Sequence, residues 1–173
     1  PEAGAAGIHG LLEMADKAAT SARSKADNSM AVGMDLLKNG EADAFVTAGN
    51  TGAAMATALF RLGRLRGVKR PPLAAALPVK SGRAVLTDIG ANAECKPEYL
   101  LQFAIMGSLY AEKVLGVSRP RVGLISNGEE ASKGNQLVKE AYPLLAASRL
   151  NFVGNVEGKE LFGGQVDVAV TDG

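Results

Sequence analysis

The sequence has 173 residues, of which 47% are hydrophobic and 21% are charged, and its formal net charge is +1. These proportions exclude a wholly disordered chain and predict one globular domain over residues 1–173, without an internal boundary. One cysteine excludes an intrachain disulfide, and no apolar run reaches the ~20 residues of a transmembrane helix. Because the chain starts at Pro1 rather than Met and stops directly after an apolar run, we expect both ends to be cut from a longer protein, so the domain is incomplete.

In chain order, the first elements are predicted to be mainly helical. Residues 1–28 carry only a weak helical pattern. Ser29 is expected to cap a helix over 29–38, because a serine side chain can accept from first-turn amides. A short buried strand is predicted over 44–47, and an Ala-rich helix over about 52–65.

The later elements are predicted to alternate between strand and helix. Predicted strands cover 84–88, 121–126, 151–153 and 166–170, and predicted helices cover 97–115, 135–147 and 157–162. Strands of continuous apolar character between helices are typical of a mostly parallel sheet covered on both faces. The sequence therefore predicts an α/β fold.

Three polar loops follow predicted strands, at 49–52, 88–97 and 127–135. Ligands of open α/β sheets bind beyond the carboxyl ends of the strands, often against helix N-termini. Each loop alone could be a turn, a helix cap or a solvated segment, and none matches a Walker A loop or a Gly-x-Gly-x-x-Gly motif. Three such loops at one edge of one sheet together predict a binding site.

Missing residue types narrow the chemistry of that site. His9 is the only histidine and lies in the weakly patterned first segment, which argues against a Ser-His-Asp triad. Cys95 is better explained as a small buried residue than as a nucleophile, and no His/Cys cluster has zinc spacing. The remaining Asn, Lys, Thr, Asp and Glu side chains suit reactions that depend on positioning and on stabilisation of anions.

A basic stretch lies between Asp43 and Asp88, where the chain has no acidic residue. Its cations are Arg61, Arg64, Arg66, Lys69, Arg70, Lys80 and Arg83. Such a segment attracts an acidic partner or an anionic surface, although a solvated helix end would have the same composition.

Several runs of sequence, in order, resemble the phosphate acyltransferase (PlsX) family. They are residues 40–44, 48–53, 88–92, 96–98, 101–108, 120–124, 128–135 and 151–158. The resemblance covers 29–173, leaves 1–28 poorly matched, and lacks the C-terminal part of the family domain. Residues 126–128 read Ser-Asn-Gly where the family more usually has Asn-Ile-Gly.

The resemblance implies an enzyme that transfers a fatty acyl group from an acyl carrier protein thioester to inorganic phosphate, giving acyl phosphate for glycerophospholipid synthesis. It implies a three-layer α/β/α, Rossmann-like fold similar to the isocitrate and isopropylmalate dehydrogenases. It also implies a cytoplasmic homodimer that can associate peripherally with the membrane, without a metal, cofactor or nucleic-acid partner.

The resemblance also implies site residues at the matching positions. The implied catalytic residues are Lys96, Asn92 and Asp88. The implied phosphate- or substrate-binding residues are Asn50, Thr51, Gly52, Glu129, Lys133, Asn135 and Asn155. The acidic carrier protein gives the basic stretch a role, with binding residues Arg61, Arg64, Arg66, Lys69 and Arg70.

Two other functions remain open at this point. A short-chain phosphate acyltransferase acting on coenzyme A thioesters would use the same thioester chemistry. A non-catalytic module could instead dock acidic carrier proteins or anionic membrane through the basic stretch.

Overall fold

The computed structural model describes residues 28–173, and the chain divides into two compact units, Pro1–Arg66 and Gly67–Gly173. The weak helical prediction for the first residues falls outside the described part, apart from residue 28. No helix within 28–173 has the length and apolarity needed to cross a membrane.

In the described part of the first unit, two helices pack against each other: α1 (Ser29–Asn39) and α2 (Thr51–Arg61). The predicted cap at Ser29 is wrong by one residue, because Asn28 Oδ1 accepts from the backbone N–H groups of Met30 and Ala31 at 2.9 and 3.0 Å. The helix ends where Gly40 adopts a left-handed conformation, as the Asn-Gly pair predicts.

Two predictions for this unit need correction. Residues 44–47 do not form a strand: none of the strands within 28–173 pairs with them, and Val46 is 91% exposed. An apolar run becomes a strand only when a neighbour completes its hydrogen bonds. The second helix stops at Arg61 rather than near Leu65, and Gly63 follows with a left-handed φ of 81° that interrupts helical geometry.

The second unit is built on strands β1 (Ala74–Val79), β2 (Gly82–Thr87), β3 (Arg121–Ile125), β4 (Asn151–Val156) and β5 (Val168–Val170). Its helices are α3 (Pro97–Lys113), α4 (Gln136–Ala146) and α5 (Gly158–Phe162). The strands form one sheet in the order β1-β2-β5-β3-β4. Only the β1–β2 pair is antiparallel, which confirms the predicted mostly parallel α/β sheet.

The sheet is covered on both faces. Along β5, Val168 and Val170 belong to a core cluster that includes Phe103 of α3 and residues of α4, whereas Ala169 belongs to a second cluster with Leu161 of α5. Successive side chains of a strand point to opposite faces, so α3 and α4 cover one face and α5 covers the other.

This arrangement places the loops that follow the parallel strands at one edge of the sheet. The carboxyl ends of β2, β5, β3 and β4 share an edge because these strands are parallel. The chain leaves β3 toward the face of α4 and leaves β4 toward the face of α5, and such a divergence opens a crevice between neighbouring strands. β5 separates β2 from β3, so their following loops begin roughly 10 Å apart.

An ion pair fastens the opposite, amino-terminal edge of the sheet. Arg121, at the start of β3, reaches Asp167 with Nε–Oδ2 2.9 Å and Nη2–Oδ1 3.0 Å. Burial alone would raise the pKa of Asp167, but the hydrogen bonds and charge of Arg121 outweigh it and lower that pKa.

We expect Asp167→Asn to lower the free energy of unfolding by about 1 kcal/mol at neutral pH, a modest value because 41% of the Arg121 side chain is exposed. A depressed folded-state pKa gives stability that is full above the unfolded pKa of about 3.8 and is lost as pH falls through the folded value. Urea unfolding should therefore show a wild-type advantage down to about pH 4 that shrinks below it. An advantage of the same size in strong acid would contradict this origin.

Candidate functional site

The loop after β2 is organised by a buried carboxylate. Asp88 is 1% exposed and accepts from the backbone N–H groups of Leu73 (2.8 Å), Ala91 (3.1 Å) and Asn92 (2.7 Å), and from Asn92 Nδ2 (2.9 Å). Charge-assisted bonds of this kind compensate for burying the charge. Asp88 therefore ties its own loop to the segment that precedes β1.

Asn92 completes this network. Its side chain is 3% exposed, and Nδ2 also donates to Pro71 O at 3.2 Å. Its backbone carbonyl accepts from the Cys95 thiol and from the backbone N–H of Gly173, the segment after β5. The predicted catalytic residues Asp88 and Asn92 thus lie together, with their side chains engaged in holding the loop.

A pocket of about 540 Å³, here named the Lys96 pocket, opens beside this loop. Lys96, Asn92, Cys95, Tyr99 and Arg70 are among its lining residues. Lys96 is exposed and occupies the N-cap position of α3, but its side chain makes no capping bond. Lys96 therefore lines a pocket at the positive end of a 17-residue helix.

Cys95 forms part of the pocket wall. Burial raises the pKa of its thiol, and the charges of Asp172 and Asp88 raise it further. The thiol donates to Asn92 O at 3.2 Å. Cys95 is only partly buried, unlike the predicted buried residue, but a protonated thiol is a weak nucleophile, so these contacts argue against a nucleophilic role.

The crevice between the loops after β3 and β4 holds a second cavity of about 470 Å³, here named the Lys133 pocket. The predicted residues Glu129 and Lys133 line it, together with Glu157 and Lys159. Asn127 Oδ1 accepts from Gly134 N at 2.9 Å and so closes the loop on which Lys133 lies.

Lys159 is a feature of this crevice that the sequence interpretation missed. Its Nζ lies 3.0 Å from Glu157 Oε2, 3.1 Å from Glu129 Oε1 and 3.5 Å from Glu160 Oε1. The hydrogen bonds to Glu157 and Glu129 raise the pKa of Lys159. The signal in the sequence is the charge alternation at 157–160, directly after a predicted strand.

The predicted binding asparagines have structural partners. Asn135 Oδ1 caps α4 by accepting from Val138 N at 2.9 Å, and buried Asn155 donates to Glu130 O at 2.8 Å. In the first unit, Asn50 Oδ1 caps α2 through Ala53 N at 2.9 Å, and Thr51 and Gly52 form the exposed first turn of that helix. Their contact with phosphate remains a prediction.

The predicted carrier-binding cations have different surroundings. Arg61 pairs with Asp35 at 3.0 Å across α1 and α2, whereas Arg64 and Arg66 are exposed beyond the end of α2. In the second unit, Lys69 pairs with Glu98 at 3.1 Å, and this contact lowers the pKa of Glu98. Arg70 lines the Lys96 pocket.

Comparison with known proteins identifies relatives over nearly the whole chain. A family model described as "Fatty acid synthesis protein" matches residues 7–173, beginning earlier than the 29–173 range expected from motifs. A phosphate acyltransferase from Pelotomaculum thermopropionicum is 53% identical over 163 residues, which cover 94% of this chain and 48% of that protein. One from Koribacter versatilis is 57% identical over 169 residues, covering 94% and 47% respectively. The chain thus spans about half the length of the curated relatives it matches.

A solved structure supports the fold assignment. EutD phosphotransacetylase from Staphylococcus aureus matches with a TM-score of 0.62 and 20% sequence identity, covering 83% of this chain and 51% of that chain. At this identity the likeness establishes a shared α/β fold.

Proposed function

Because the chain belongs to the family of fatty acid synthesis proteins, we propose that it forms part of an enzyme that transfers a fatty acyl group from an acyl carrier protein thioester to inorganic phosphate. The product, acyl phosphate, would serve glycerophospholipid synthesis. Relatives named phosphate acyltransferases support the reaction class. The observation that carries the proposal is the Lys96 pocket, where a lysine and an arginine flank a cavity at the carboxyl edge of the sheet.

The reaction needs little acid–base assistance. A phosphate oxygen attacks the thioester carbonyl carbon, so that a C–O bond forms and the C–S bond then breaks. The thiolate leaves with the electron pair and takes up the proton that phosphate releases. The developing oxyanion is the charge that requires stabilisation, and in this proposal the ammonium group of Lys96, which lines the pocket, supplies it.

Asp88 and Asn92 act in this proposal by positioning. Their mutual hydrogen bonds fix the loop that carries Lys96, and their side chains are almost fully buried. A loop held in this way keeps the ammonium group aligned with the reacting carbonyl, which is the contribution that orientation makes to catalysis.

Arg64 and Arg66 are proposed to attract the acidic carrier protein. Arg64→Glu combined with Arg66→Glu should raise KM for the acyl carrier thioester by about 10-fold, while KM for phosphate stays constant. Arg149→Glu serves as a control, since Arg149 is an exposed arginine outside the basic stretch and lies just before β4. An unchanged KM for the carrier thioester would exclude both arginines from carrier binding.

Family membership also supports a homodimer that works in the cytoplasm and associates peripherally with the membrane. Sedimentation of the complete protein, with and without vesicles, tests dimerisation and membrane association.

The decisive test is phosphate-dependent release of free thiol from acyl carrier protein thioester, measured with the 173-residue chain and with the complete protein. Release that requires phosphate supports the proposal. Preference for free coenzyme A thioesters would instead indicate a short-chain enzyme. Carrier binding without turnover by the folded complete protein would indicate a docking module.

A further inference from the structure

The segment that carries Arg70 is fastened to α3 on its N-terminal side. Gln102 donates from Nε2 to Gly67 O at 3.0 Å, and its Oε1 accepts from Lys69 N at 2.8 Å. Lys69 Nζ adds the ion pair with Glu98. One glutamine and one glutamate thus hold residues 67–69 along the helix.

The same segment is fastened to the Asp88 loop on its C-terminal side. Asn92 Nδ2 donates to Pro71 O at 3.2 Å, and Asp88 Oδ1 accepts from Leu73 N at 2.8 Å. The backbone of Arg70 therefore lies between two anchored neighbours, Lys69 and Pro71. Anchoring of this kind lowers the entropy that must be lost when a side chain binds a ligand.

Arg70 lines the Lys96 pocket, whereas the neighbouring Lys69 forms an ion pair with Glu98. Within residues 28–173, no carboxylate lies at ion-pair distance from Arg70 or Lys96. Of the acidic groups nearby, Glu94 lines the same pocket, and the Asp88 charge is distributed over four N–H donors. Two cations therefore line one cavity together with the carboxylate of Glu94, and within residues 28–173 neither cation forms an ion pair.

We propose that Arg70 and Lys96 together hold inorganic phosphate in the Lys96 pocket, so that Arg70 belongs to the substrate site and not to the carrier-docking surface. The planar guanidinium group offers two parallel N–H donors to a tetrahedral oxyanion, and the ammonium group offers a point charge from the α3 side. This assignment rests on the proposed acyl transfer and names the residue that holds its nucleophile.

The test compares Arg70→Met with wild type and with Arg149→Met in the complete protein. Methionine keeps the apolar stem of the arginine side chain and removes the guanidinium group. Because the contacts that anchor the segment are made by neighbouring residues, the substitution should leave them in place. We expect Arg70→Met to raise KM for phosphate at least ~10-fold and to leave KM for the carrier thioester within about twofold. Arg70→Lys keeps the positive charge but lacks the two parallel N–H donors, so its KM for phosphate should lie between those of wild type and Arg70→Met.

A second measurement tests phosphate binding without any turnover. Titration of the protein with inorganic phosphate, followed by ³¹P NMR, should show binding by wild type and Arg149→Met that is weakened at least ~10-fold in Arg70→Met. If the proposed acyl transfer fails but this difference persists, the phosphate site stands. The proposal would be overturned if wild type and Arg70→Met bound phosphate equally, or if wild type bound none. It would also be overturned if Arg70→Met raised KM only for the carrier thioester.

Discussion

Replacing Lys96 with alanine is expected to lower kcat of the proposed acyl transfer by about 100-fold, because the carbonyl oxygen would develop its charge without a facing cation. The substitution should leave helix α3 intact. The Lys96 side chain caps no helix amide, and the α3 contact at this position comes from its backbone carbonyl, which accepts from Tyr99 N at 2.8 Å. Stopped-flow measurement of thiol release under saturating substrates gives kcat directly.

Lys113→Ala is the matched control, because Lys113 is an exposed lysine in the last turn of the same helix. It should leave kcat within about twofold of wild type. A loss below about threefold in Lys96→Ala would remove Lys96 from the reacting centre, and the Lys133 pocket would become the better candidate.

Asp88→Asn should lower the free energy of unfolding by about 3 kcal/mol, measured by urea denaturation at neutral pH. The asparagine has nearly the same shape, so the effect isolates charge and donor–acceptor pattern. In wild type, both carboxylate oxygens accept N–H groups, and in the variant an NH₂ group must face some of those donors. A buried donor left without an acceptor carries the full cost of its lost hydration.

Asp43→Asn makes the same chemical change at an exposed aspartate and should alter stability by less than about 0.5 kcal/mol. If Asp88→Asn cost no more than this control, the Asp88 network would not be what fixes the loop.

The fold was largely predictable because its signals are local. Continuous apolar runs flanked by turn residues specify β2 and β3 to within one or two residues, and Pro97 marks the start of α3. Residues 44–47 carry a similar apolar signal without forming a strand, because strand formation depends on a pairing partner that is distant in sequence.

The location of the candidate site could be predicted from the sequence, but the residues that form it could be predicted only in part. Lys69 and Arg70 are adjacent in a uniformly basic stretch, yet one is paired with Glu98 and the other lines the pocket of Lys96. Those partners are more than 20 positions further along the chain, so only the folded structure separates the two roles. Asn135 could likewise have been a ligand or a cap until its bond to Val138 was seen.

The single cysteine of the sequence lies in the pocket wall, so that labelling of its thiol can report whether the pocket is occupied. Because Cys95 is the only thiol in the sequence and lines the Lys96 pocket, one equivalent of a thiol-directed fluorophore or spin label would mark that cavity without any substitution. Because the pKa of its thiol is raised, labelling should be slow at neutral pH and should accelerate only in strongly alkaline solution, where the thiolate forms. A bound anion beside Arg70 would disfavour the thiolate, so the labelling rate becomes a direct measure of pocket occupancy.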